Sequence, residues 1–118
     1  MPDLRLVRGE IMLPHDLTTF TPAHVLIELE DISRADAPSQ VVARLLLPPQ
    51  ELHGDDLIPF TLGVTASALH EQHIYSIRVH VDVSGSGQVE RGDYVTVQSY
   101  PVLTRGYGDN VRVAVRRV

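Results

Sequence analysis

The chain has 118 residues, 43% apolar and 21% charged, with a formal charge of −5. That is the length of one domain, expected over residues 1–118, and the composition of a folded rather than a disordered chain. No apolar run approaches the ~20 residues of a membrane helix. The absence of cysteine excludes disulfides and thiolate chemistry, and the negative balance argues against a nucleic-acid footprint.

Short apolar runs alternate with turn residues along the whole chain, the spacing of an all-β fold. Leu4 to Met12 is predicted as the first strand, weakened by Gly9. His24 to Ile32 follows, with Val25, Ile27 and Leu29 alternating against Glu28 and Glu30. Val41 to Leu47 is apolar on both faces around Arg44, which predicts a central strand. Leu57 to Val64 contains Pro59, which points to an edge or a strand start. Thr65 to Gln72 is the one helical stretch, two turns at most, with Thr65 or Ser67 as its cap. Ile74 to Val83 has the clearest period of two. It sets Tyr75, Ile77, Val79, Val81 and Val83 inward and Ser76, Arg78, His80 and Asp82 outward. Tyr94 to Ser99 and Val111 to Arg116 complete about seven strands. The glycine pairs Gly85/Gly87 and Gly106/Gly108 are read as hairpin turns. The expectation is a small Greek-key-like β-sandwich, mostly antiparallel.

Chemistry-bearing residues are sparse. His70 and His73 are spaced to meet one metal on a helix, with His80 seven residues further on. No third ligand is set by that spacing, and the expectation is solvent-exposed histidines without a metal. Gly85-Ser86-Gly87 lies between two predicted strands, so it is no nucleophile elbow. Gly85 and Gly87 form no dinucleotide fingerprint, and a Walker lysine is excluded because all ten basic residues are arginine. Glu28 and Glu30 share a strand face, where such pairs meet cross-strand arginines. Asp55-Asp56 and Asp109-Asn110 lack the D-x-[DN]-x-[DN]-G pattern of a calcium loop. Arg112, Arg116 and Arg117 are read as the solvated face of the last strand. Neither an enzyme nor a cofactor is expected.

Two segments stand out together: Leu29-Glu30-Asp31-Ile32-Ser33-Arg34-Ala35-Asp36-Ala37-Pro38 and Tyr100-Pro101-Val102-Leu103-Thr104-Arg105-Gly106. Ile58-Pro59-Phe60-Thr61-Leu62 and Tyr75-Ser76-Ile77-Arg78-Val79 lie between them. In order and spacing, from Leu4 to Val115, the chain resembles the YbaY/YscW-like family of bacterial lipoproteins, which includes the pilotin chaperones of type III secretion. The resemblance implies a β-sandwich on the inner face of the outer membrane that binds a secretin subunit. The segment Met1-Pro2-Asp3-Leu4-Arg5 has no signal-peptide pattern, and the chain has no cysteine to acylate. A native start at Met1 would mean a cytoplasmic protein, so localisation stays open between cytoplasm and periplasm.

The first expectation is therefore a non-catalytic binding module, with a secretin or envelope protein as partner and a strand added at a sheet edge as one binding mode. A soluble cytoplasmic domain that pairs edges into a homodimer is the second. A sugar or small-ligand carrier using Tyr75, Tyr94, Tyr100 and Tyr107 is the third. Within the two motifs, Asp31, Ser33 and Asp36 are turn-capping side chains, and Arg34 is placed to bridge those carboxylates or backbone carbonyls. Arg34, Asp36, Tyr100 and Arg105 are the candidates for a partner or ligand surface. The competing reading gives both motifs a purely structural role as loop staples.

Overall fold

A computed structural model describes residues 3–118; the Met1-Pro2 start lies outside them. Nine strands are assigned among them: β1 Leu4–Met12, β2 His24–Asp31, β3 Gln40–Leu47, β4 Leu57–Thr65, β5 Tyr75–Asp82, β6 Tyr94–Val95, β7 Pro101–Val102, β8 Asn110–Ala114 and β9 Arg116–Arg117. They form two sheets. One is three-stranded, β4-β1-β8; the other runs β3-β2-β5-β6-β9, with β7 also paired to β5. The all-β sandwich read from the alternation is what forms. Pairing is antiparallel except between β1 and β8, which run parallel from Arg8↔Asn110 to Met12↔Ala114.

The core lies between the sheets. Val7 and Ile11 of β1 and Ile58, Phe60, Leu62 and Val64 of β4 face Val25, Ile27 and Leu29 of β2 and Tyr75, Ile77, Val79 and Val81 of β5, all buried. Burying such side chains contributes about 1.5–3 kcal/mol each and dominates the stability of the sandwich. Gly9 has a packing reason. A Cβ there would sit 2.4 Å from Phe60 Cζ and 2.8 Å from the Val111 carbonyl oxygen. Phe60 is the register partner of Gly9, and its ring fills the space that any side chain would need.

Several expectations change. β3 is the edge of the larger sheet, not a central strand. Ala43, Leu45 and Leu47 pack against the core, while Leu46, opposite Leu26 on the face turned away from the small sheet, is 56% exposed. β4 is an edge, as Pro59 indicated. The helix over 65–72 does not form. β4 continues through Thr65, and only Ala66–Ala68 make a 3₁₀ turn, without a side-chain cap. The Tyr75 hydroxyl then accepts the His70 N–H at 2.8 Å, so tertiary contacts hold an irregular loop there.

The strand expected over Tyr94 to Ser99 splits into β6 and β7. Between them the Thr96 N–H bonds the Val79 carbonyl and the Tyr100 N–H bonds Ser76 Oγ, while Val97, Gln98 and Ser99 bow outward and are exposed. Gly106 and Gly108 close no hairpin, because β7 pairs with β5 and β8 with β1. The last predicted strand also divides. β8 belongs to the small sheet and β9 to the large one, with Val115 at the corner.

β5 is buried on both faces except at Arg78. His80 and Asp82, expected outward and solvated, are only 7% and 3% exposed. The connection from β5 to β6 folds back over that face and covers them. Val83, expected inward, lies beyond the end of β5 and is 39% exposed.

Candidate protein-binding site

The two motifs converge on one loop, residues 69–74. Asp31 at the end of β2 accepts the Ser33 N–H at 3.0 Å and the Ser33 hydroxyl at 2.6 Å. Its second oxygen meets His73 Nδ1 at 2.6 Å. Ser33 Oγ in turn accepts the Ile74 N–H at 2.8 Å. From the other motif, the Thr104 hydroxyl donates to the His73 carbonyl at 2.6 Å, and the Arg105 guanidinium donates to the Gln72 carbonyl at 3.1 Å. Burial pushes the Asp31 carboxyl upward, but the bonds from Ser33 and His73 outweigh it and hold the group below its ordinary value.

The four residues singled out from the sequence separate in kind. Tyr100 is half-buried and ties the sheets together: its hydroxyl accepts the Ala114 N–H at 3.0 Å and its own N–H donates to Ser76 Oγ at 2.7 Å. Arg105 is exposed, sits at positive φ (57°) and braces the 69–74 loop. Arg34 and Asp36 are exposed on the β2–β3 loop and form no ion pair among the described residues. The bridge proposed for Arg34 is not made, since Ser33 and His73 occupy the Asp31 oxygens.

Other candidates resolve the same way. Glu28 pairs with Arg44 at 2.8 Å and Glu30 approaches Arg78 at 3.8 Å, the cross-strand partners expected. The His70 and His73 rings lie 4.7 Å apart, while His80 is engaged with Asp93 on β5, so the three do not gather. Tyr75 and Tyr94 are buried and Tyr107 is exposed, so the tyrosines present no common aromatic face.

A groove that sequence reading did not single out lies at the opposite end of the large sheet. It measures about 650 Å³ and is lined by Pro14, Phe20, Tyr94 and Val115, with Asp16, Arg116 and Arg117 among its polar residues. The Phe20 and Tyr94 rings stack at 6.0 Å and form an apolar floor. Phe20 reaches it because the β1–β2 connection is pinned by a bridge between Phe20 and Leu52. No local pattern marks the groove, since its walls come from four separate segments. Apolar floors with a few convergent polar groups are the usual form of a binding cleft.

Among the described residues, no helix is long and apolar enough to cross a membrane. No curated protein matches the chain. A solved structure described as that of an alternative pilotin from the type II secretion system of Vibrio cholerae superposes with a TM-score of 0.74 at 20% identity. The match covers 98% of this chain and 100% of that one, and at this identity it is a likeness of fold. The model of the type III secretion system lipoprotein chaperone family, YscW, matches residues 2–115. The chain therefore belongs to the YscW family of secretion-system lipoprotein chaperones.

Proposed function

We propose that this protein is a pilotin-like chaperone of the bacterial envelope that binds a segment of a secretin subunit and accompanies it to the outer membrane. The observation that carries this reading is the family match across nearly the whole chain. The fold supports it, because the likeness to a pilotin extends over both sheets. The protein acts by binding, without chemical conversion of its partner.

The groove floored by Phe20 and Tyr94 is our choice for the docking site. Its apolar floor suits an amphipathic segment, and Arg116 and Arg117 on β9 favour acidic residues along that segment's edge. Arg34, Asp36 and Arg105 form a second exposed surface around the 69–74 loop, the alternative place for the partner.

The experiment is a pull-down and titration against the C-terminal segments of secretins from the same organism. Arg116→Glu with Arg117→Glu is expected to weaken binding tenfold or more, with Tm unchanged. Arg34→Glu with Arg105→Glu is expected to leave affinity intact. The reverse pattern would move the docking site to the motif surface. No binding of any secretin segment by the wild-type protein would sink the pilotin reading.

A further inference from the structure

We infer that the cavity where β1 begins is a binding site for a phosphate group. It measures about 720 Å³. Arg5, near the start of β1, lines it, whereas Pro14, just past the end of β1, lines the groove floored by Phe20 and Tyr94. The two clefts therefore stand at opposite ends of the strand. Three stretches build the walls: the start of β1, the connection from β4 to β5, and the second motif at Leu103, Thr104 and Arg105.

The fold brings two guanidiniums to this cavity from opposite ends of the chain. Each is held by one backbone carbonyl. Arg5 Nη2 donates to the Leu103 carbonyl at 3.2 Å, and Arg105 Nη1 donates to the Gln72 carbonyl at 3.1 Å. Those bonds orient the groups but bring no counter-charge. Among the described residues the ion-paired arginines are Arg44, Arg78 and Arg112, so neither Arg5 nor Arg105 has a carboxylate partner. Most N–H donors of each fork stay free, and an arginine fork matches the oxygens of a phosphate. Glu71 is the one carboxylate in the lining, and two guanidiniums outweigh it.

Backbone strain gathers at the same place. Among the described residues the non-glycine positions at positive φ are Asp55, Leu103 and Arg105, and two of the three line this cavity, at 75° and 57°. A leucine in that region is an outlier. Strain of this kind persists where the side chains it directs have work to do, and here it turns Arg105 toward the cavity wall formed by Gln72. The surroundings narrow the class of phosphate. Ala66, Leu69 and Leu103 supply an apolar wall. Leu4 and Leu6 flank Arg5 along β1 and are 64% and 38% exposed. Cations set beside exposed leucines suit a phosphate that carries an apolar tail, as a phospholipid headgroup does.

The inference does not depend on the partner proposed above, and it is tested on the full chain alone. The protein is sedimented with vesicles of phosphatidylglycerol or of phosphatidylcholine, and glycerol 3-phosphate is titrated in calorimetrically. The expected result is retention on phosphatidylglycerol that salt weakens, and little on phosphatidylcholine. The chain carries −5 overall, so its net charge opposes that retention and cannot produce it. Glycerol 3-phosphate binding as tightly as the lipid would keep the phosphate site and make its ligand a soluble phosphate. Arg5→Gln with Arg105→Gln is expected to weaken binding about tenfold or more. Arg5→Gln alone leaves the Arg105 brace in place and is expected to weaken it severalfold. Glu71→Gln is expected to tighten binding with Tm unchanged, a gain that a purely structural role for the arginines does not give. No binding of either phosphate by the wild type would overturn the inference. So would equal retention on phosphatidylcholine, or binding that all three variants leave unchanged.

Discussion

At Gly9 the strand carries no side chain because Phe60 needs the room. Gly9→Ala is expected to destabilise the protein by roughly 1–3 kcal/mol through overpacking, against backbone atoms that cannot move aside. Chemical denaturation should show a lower midpoint with unchanged slope. Tyr100 is a second single-residue anchor, since its hydroxyl caps the Ala114 N–H across the two sheets. Tyr100→Phe is expected to cost about 1–2 kcal/mol, the consequence of leaving a part-buried donor unpaired. Asp93 gives the residue scale its pH dependence. Burial pushes its carboxyl up, but bonds from His80 and from the Val83 and Glu90 N–H groups prevail and hold it below its ordinary value. The folded state therefore binds its proton less readily than the unfolded chain. That contribution to stability is complete above the unfolded value of 3.8 and fades as pH falls through the lower folded value. Thermal melts should hold their Tm above about pH 5 and fall below it, and Asp93→Asn should lower Tm at neutral pH and flatten that fall.

At the scale of elements, the 69–74 loop is held from both sides by motif residues rather than by helical bonds. Thr104→Val removes the hydroxyl that holds the His73 carbonyl and is expected to cost about 1 kcal/mol. Hydrogen exchange should then rise at Ile74 and in the loop before the core strands respond, because elements open in local units. Arg105→Ala tests the division between staple and partner surface. A structural role predicts faster exchange at the loop with secretin binding retained. The helix expected at 65–72 was unreadable for a related reason. Its residues have helical character, but β4 claims Thr65 for a ladder with β1 and Tyr75 claims the N–H of His70. Similarly, Tyr94 to Ser99 reads as one strand until Thr96 and Ser76 offer side-chain oxygens that replace ladder bonds.

At the scale of the whole molecule, the sandwich has unequal layers. β3 is a free edge of the wider sheet and keeps Leu46 and Val41 exposed on the face turned away from the small sheet, with Arg44 as its one charge. An edge of that kind invites strand pairing. Leu46→Lys is expected to leave Tm nearly unchanged and to reduce any self-association seen by light scattering at high concentration. At the far end of the large sheet, the groove joins the β1–β2 connection, the start of β6 and the last strand. This junction sets rigid sheet on one side of the groove and loop on the other.

Local alternation was enough to place β1, β2, β4 and the body of β5 within a residue or two, because a period of two records which face of a strand meets the core. The two family motifs were legible as well, since their turn chemistry is written in consecutive residues. The tertiary structure alone decided the rest. Val41 to Leu47 looks central by composition, and only sheet order shows it to be an edge. His80 alternates with the core face, and only the folding back of Ser84 to Asp93 buries it. Tyr100, Phe20 and Tyr94 acquire their roles from partners 14 to 74 residues away. Burial and contact across such separations depend on where other segments pack, and no local spacing in the chain encodes that.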